Sequence, residues 1–161
     1  MTVEEYNKSV DLYSDNVFRF ILKNVKDKAL AEDIVQDSYE KLWINCENVQ
    51  FLKVKSYLFS TAYHTFIDYY RRSKKIESTA DYQRISPHHS EQYTGIKEIL
   101  DQAVNQLPSD QKAVILLRDY EGYSYQEISE ITGLNESQVK VYIYRARVSL
   151  KNYLVNIENV A

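Results

Sequence analysis

The sequence predicts an all-α protein built as two small helical bundles joined by a linker, the C-terminal one a four-helix domain. Three observations predict it. Only 3 Gly and 2 Pro punctuate 161 residues, too few turn formers for a strand-rich fold. Hydrophobic residues make up 44% of the chain, enough for a core and too many for wholesale disorder. Apolar positions recur at helical spacing along most of the chain, and the recurrence stops between Ile76 and Thr94.

Each element follows from local signals. Tyr6, Val10, Tyr13, Val17, Phe20 and Ile21 share a helical face, which predicts a helix from Tyr6 to Val25. Asp27 in "DKALAED" starts a second helix, which offers Ile34, Tyr39, Leu42 and Trp43 to a core. "NCENVQ", Asn45 to Gln50, breaks the period and reads as a loop. A third helix, from about Val54 to Ser73, carries Leu58, Ala62, Phe66 and Tyr69 and ends in "YYRRSKK". The aperiodic stretch rich in Ser, Thr and polar residues divides the chain into 1–75, a linker 76–95, and 96–161. Beyond it, "IKEILDQAVNQL" is a helix stopped by Pro108. Ser109 caps "DQKAVILLRDY", and Gly122 ends that helix from a left-handed position. Ser124 and Glu127 form a capping box for "YQEISEIT", which Gly133 closes. Asn135 starts the last helix, with Gln138 completing a second box.

Charge and composition bound the function. The N-terminus lacks the basic flank and apolar run of a signal peptide, and no stretch approaches a membrane span. The single cysteine, Cys46, cannot form an internal disulfide and fits a reducing cytoplasm, as a plain buried or surface thiol. His88 and His89 sit in the linker without a metal-ligand framework. No nucleophile–base constellation or phosphate loop appears, so neither catalysis, cofactor nor metal is expected. The net charge of -3 is uneven: residues 51–75 carry net +5, and residues 137–151 hold Lys140, Arg145, Arg147 and Lys151 without an acid. Two basic surfaces therefore sit on an acidic body.

The second basic surface coincides with a helix-turn-helix signature, two short helices joined by "TGLN". Gly133 supplies the positive φ of the turn, Leu134 plugs the angle, and Ser129 is small where the helices approach. Val139, Ile143, Ala146 and Leu150 fall on one face. Ser137, Gln138, Lys140, Val141, Tyr144 and Arg145 then face outward near the N-terminal half, toward base edges, while Arg145, Arg147 and Lys151 can meet phosphates. For these residues alone, the alternative is an ordinary helical hairpin with a basic outer face.

The segment from "LPSDQKAVILLRDYEGYSYQEISEITGLN" to "ESQVKVYIYRARVSLKNYL" resembles region four of the sigma-70 class of bacterial RNA polymerase initiation factors. "AEDIVQDSYEKLW" followed by "KSYLFSTAYHTFIDYYRRSKK" resembles their region two. The two regions alone, in this order, resemble the small extracytoplasmic-function group. The chain departs from the family pattern at His64, Ser129, Tyr142 and Ser137-Gln138, so no promoter sequence is carried over.

The resemblance implies a non-enzymatic, cytoplasmic transcription initiation factor whose partners are the clamp and flap of RNA polymerase core, promoter DNA and, in some members, an anti-sigma factor. It implies that Asp33, Gln36, Asp37 and Trp43 dock on core, Asp33 and Asp37 lying one turn apart. It implies that the basic third helix and the loop before it hold the melted promoter strand. Asn48 and Gln50 would line a pocket for a flipped base. Lys53, Lys55, Tyr57, Tyr63, His64, Arg71 and Arg72 would supply stacking rings and backbone-following cations. Glu77, Asp81 and Glu91 in the linker would mimic nucleic-acid charge, or the linker is a plain tether. Two other classes fit the residues less fully. One is an autonomous helix-turn-helix regulator that binds DNA without polymerase. The other is a protein–protein adaptor that has lost DNA binding.

Overall fold

The computed structural model describes residues 1–77 and 95–160, and every regular element among them is helical. Of the expected linker, 76–95, residues 78–94 lie outside the described residues, with Asp81, His88, His89 and Glu91 among them, whereas 76 and 77 continue the third helix and Gly95 is the N-cap of the fourth. Helix α1 spans Val3–Val25, α2 Lys28–Ile44 and α3 Val54–Glu77, with a single 3-10 turn, Phe51–Lys53, leading into α3. Then come α4 (Ile96–Asn105), α5 (Ser109–Ile115), α6 (Tyr125–Thr132) and α7 (Glu136–Val160).

The caps follow the sequence closely. The Thr2 hydroxyl accepts from the Glu5 amide and starts α1. Lys26 leaves α1 in the left-handed region, at φ 56°, and its amide reaches the Leu22 carbonyl. Asp27 caps α2 through the Leu30 amide. Both expected capping boxes are present. The Ser124 hydroxyl accepts from Glu127 N at 3.1 Å and the Glu127 carboxylate from Ser124 N at 3.3 Å. Asn135 and Gln138 repeat the exchange at 2.8 and 3.0 Å. Such reciprocal bonds satisfy amides that the first turn would otherwise orphan.

Three details differ from expectation. Pro108, not Ser109, stands at the N-cap of α5, and Ser109 is its first helical residue. Proline's fixed φ suits that boundary, and the adjacent Asp110 carboxylate takes the Gln111 amide. Second, α5 does not run on as an α-helix. Leu116–Tyr120 widens into a π-turn, with Glu121 N bonding Leu116 O at 3.2 Å and Tyr123 N reaching Leu117 O at 3.1 Å. Third, Trp43 is not a core residue. It is 51% exposed, its ring standing edge-on to Tyr6 at 5.1 Å.

The two bundles share one continuous core. Val17, Phe20, Ile21, Leu42, Leu58, Phe59 and Phe66 are buried in the first, and Val114, Leu117, Ile128, Ile131, Val139 and Ile143 in the second. Phe20 packs on Phe59 at 5.5 Å, and Phe59 meets Tyr123 of the other bundle at 5.5 Å and 75°. Helix α6 lies against α3, and α5 against α1. The fold therefore sets the second bundle directly on the face of the first.

Candidate nucleic-acid interface

The helix-turn-helix is built from α6, the Gly133 turn and α7. Gly133 takes φ +80°, a conformation that strains any residue with a Cβ. Ser129 does more than stay small. Its hydroxyl donates to the Leu134 carbonyl at 2.6 Å, while Thr132 Oγ1 accepts from Leu134 N at 3.2 Å. The turn is thus bonded on both sides of Leu134. Val139, Ile143 and Ala146 are buried and hold α7 down. Ser137, Gln138, Lys140, Val141, Tyr144 and Arg145 are all exposed along the opposite side, and Lys151 is exposed farther on. Lys140 Nζ stands 5.9 Å from the centre of the Tyr125 ring. Gln138 commits its carbonyl oxygen to the cap, so what it offers outward is its amide group's N–H₂.

Arg147 is placed otherwise. Its guanidinium pairs with Asp119 of the π-turn at 2.9 Å. That bond holds the guanidinium's pKa above its ordinary value. The side chain pins α7 to the preceding turn instead of projecting freely. No single-residue pattern signals this pair, because Asp119 and Arg147 are distant in sequence and joined only by the packing of the second bundle.

In the first bundle, the loop before α3 is well anchored. Asn45 Nδ2 donates to Lys41 O at 3.2 Å and to the Tyr57 hydroxyl at 3.1 Å, and Tyr57 itself reaches Lys41 O at 3.4 Å. Tyr57 thus braces the loop with its hydroxyl and is half-buried. Asn48, Gln50 and Lys53 are exposed around it, and Arg71 and Arg72 are exposed near the far end of α3. The sequence did not single out Leu52, which is 93% exposed beside this loop. An apolar residue two positions beyond a non-helical polar run was the available signal.

Two expected strand contacts sit beneath the second bundle. Tyr63 is 6% exposed, with its ring against Phe66 and His64. It shares a helical face with Phe66, three residues on, so α3 turns it inward. Burial raises its phenol pKa, and the nearby Asp110 carboxylate adds to the rise. Tyr63 as presented here is a packing residue, not a surface ring. Lys55 is half-buried, its Nζ 5.0 Å from the Tyr123 ring centre. His64 stays exposed, and a Cβ at Gly133 would lie 3.8 Å from its ring.

On α2, Asp33 and Gln36 are exposed, while Asp37 is half-buried and pairs with Lys41 at 3.2 Å. Gln36 borders a shallow, mostly apolar groove between α1 and α2 of about 360 Å³, lined also by Tyr6, Val10, Phe18, Val35 and Tyr39. The exposed Trp43 stands on the same helix. Among the described residues, no cluster of His, Cys, Asp and Glu could hold a metal ion, and no helix is long and apolar enough to cross a membrane.

Comparison with known proteins matches both halves. Residues 10–76 match the family described as Sigma-70 region 2, and residues 97–150 match Sigma-70, region 4. The chain is 33% identical to the ECF RNA polymerase sigma factor SigM of Bacillus subtilis over 94% of both chains. It is 28% identical to SigX of the same organism, over 94% of this chain and 84% of SigX. Its fold is similar to the sigma factor RpoE of Bartonella quintana, solved with the anti-sigma factor NepR, at a TM-score of 0.79 and 23% identity. That likeness covers 94% of this chain and 98% of the solved one.

Proposed function

The chain belongs to the sigma-70 family of RNA polymerase sigma factors, in its extracytoplasmic-function group, and on that premise we propose how its residues divide the work. It is a transcription initiation factor that binds RNA polymerase core and directs it to promoters. In our reading, residues 1–75 form the unit that binds core and the melted strand, and residues 96–161 form the unit that reads duplex DNA. Residues 76–95 tether the two. The protein acts in the cytoplasm and carries no catalytic step of its own.

The observation that carries the reading of α7 is its two-sided build. Three buried side chains, Val139, Ile143 and Ala146, fix the helix, and an unbroken exposed face of Ser137, Lys140, Val141, Tyr144 and Arg145 stands opposite. The mix of donors, an apolar side chain and cations suits major-groove base edges flanked by phosphates. Lys151 follows the phosphates. Arg147 joins them only by leaving Asp119, and otherwise positions the helix.

The loop at Asn48 and Gln50, with Lys53, Lys55, Tyr57, His64, Arg71 and Arg72, holds the melted strand in this reading. Tyr63 joins that set only if α3 is uncovered. Gln36, at the groove between α1 and α2, meets the polymerase clamp together with Asp33 and Trp43 of the same helix, with Asp37 shared between that contact and Lys41. An anti-sigma factor, of the class found with the similar Bartonella quintana protein, completes the proposed partners.

The test is transcription in vitro from host genomic DNA by core polymerase with and without this chain. New discrete start sites that depend on the chain are expected. Their absence, with tight promoter binding by the chain alone, would instead favour an autonomous regulator.

A further inference from the structure

The cations of α7 are not held alike. Among the described residues, Lys140, Arg145 and Lys151 make no ion pair, whereas Arg147 gives its guanidinium to Asp119 at 2.9 Å. The two paired side chains are 50% and 45% exposed. A pair so wet adds little to stability, because water screens the charges and ordering the side chains costs entropy. Its effect lies in where it holds the charge. Lys140, Tyr144, Arg147 and Lys151 recur at i, i+4, i+7 and i+11, one exposed stripe along α7. A freed guanidinium at Arg147 would fall between the base-reading turns and the phosphate contact given to Lys151.

The seat that holds Arg147 is built by the π-turn. That wider turn carries Asp119 to α7 and sends its neighbour Arg118 elsewhere. Arg118 Nη1 donates to the Tyr123 carbonyl at 2.8 Å, and its guanidinium lies 4.8 Å from the Tyr125 ring centre. Both contacts anchor the turn and so fix the aim of Asp119. The bond to Asp119 raises the Arg147 pKa, and the Tyr125 side chain beside it adds to the rise. A guanidinium meets carboxylate and phosphate oxygens with the same N–H···O geometry. A backbone phosphate must therefore displace Asp119 before it can take Arg147.

We propose that Asp119 is a restraint on sequence-independent DNA affinity: it withholds Arg147 from the phosphate backbone, so that binding at the upstream element depends on the base-reading turns of α7. This rests on the reading of α7 as the duplex-reading helix. A phosphate contact strengthens promoter and unrelated DNA alike. Withholding one loosens the hold on unrelated DNA, which far outnumbers promoters, and leaves base contacts a larger share of the binding.

The experiment uses holoenzyme assembled from host core polymerase and the full-length chain, wild type or carrying Asp119→Asn or Asp119→Ala. The first substitution keeps an acceptor oxygen and loses the charge, and the second removes both. Circular dichroism confirms that the helices persist. Fluorescence anisotropy follows binding to two labelled duplexes across a salt series, one from a chain-dependent start site and one of unrelated sequence. Both variants are expected to bind both duplexes more tightly, by roughly threefold or more at low salt, with a salt slope steeper by roughly one unit. Arg147→Ala and Asp119→Ala/Arg147→Ala supply the control, since a gain that passes through Arg147 must vanish between these two. The restraint is overturned if neither folded variant binds more tightly, or if the gain survives without Arg147. It is also overturned if the gain is confined to the promoter duplex, which would make Arg147 a base reader. Lys151→Ala in the same holoenzyme tests the underlying reading. If it lowers affinity and slope while the Asp119 variants gain nothing, the restraint falls and α7 still meets DNA. If Lys151→Ala changes neither, α7 does not meet the duplex, and the reading and the restraint fall together.

Discussion

Lys140 and Lys151 carry the same charge on one helix and should behave differently. Lys140 lies in the first turns of α7, beside Ser137, Val141 and Tyr144, where base edges come within reach. Replacing it with alanine is expected to shift the preferred upstream bases, at a cost of about 1–3 kcal/mol for a good base contact. Lys151→Ala is expected to weaken all promoters alike and lower the salt slope by roughly one unit. A promoter-library selection with holoenzyme carrying each variant distinguishes them, and a uniform loss for Lys140→Ala would assign it to phosphate instead. At this scale much was legible. The exposed face of α7 follows from counting 100° per residue away from Val139, Ile143 and Ala146, and the structure places each residue accordingly. Arg147 was not legible, because its partner Asp119 is 28 residues away and approaches only after the second bundle folds.

Elements were legible wherever their ends are written in local chemistry. Asp27, Ser124–Glu127, Asn135–Gln138, Gly122 and Gly133 all act where the sequence placed them, since a cap needs only residues within one turn. Ser124→Ala should therefore cost about 1 kcal/mol, measured as a lower urea midpoint with an unchanged slope. The π-turn at Leu116–Tyr120 had no such signature. It inserts a wider turn that sends Tyr120, Glu121 and Tyr123 toward α1 and α3, a demand set by tertiary packing. On α2, Asp33 and Asp37 lie one turn apart, and Asp37 already pairs with Lys41. Asp33→Arg with Asp37→Arg should weaken association with core polymerase in a pull-down, with helical circular dichroism intact. Unchanged core affinity in the folded double variant would remove α2's carboxylates from the docking surface.

For the molecule as a whole, the seating of one bundle on the other could not be read from composition or period, since it depends on side chains that meet only in space. It also buries a lysine. Lys112 is 4% exposed and lies near Lys26. Burial, reinforced by Lys26, pushes its pKa down to about 8 from an ordinary 10.5. Between those values the unfolded chain binds more protons at this site than the folded one, so stability should rise with pH across that window. Below about 8 the penalty is fully present. Urea midpoints at pH 7.0 and 9.5 check this, and Lys112→Met should remove that part of the rise. The charge map makes a second demand at this scale. With net charge -3 and its basic residues confined to patches, the free chain should bind promoter duplex weakly at physiological salt, and core polymerase should strengthen binding greatly. A tight stoichiometric complex without polymerase would contradict it.

The edge-on pair of Trp43 and Tyr6 makes the molecule its own optical reporter. The chain has one tryptophan among 15 tyrosines, so red-edge excitation isolates a single indole. That indole is half in water and half against a ring, on the helix expected to dock. Seating a partner over it strips the wet half, which should move the emission to shorter wavelength and shield it from a soluble quencher. Without any label, titration against a binding partner would then reveal which face of the first bundle is covered, and how fast.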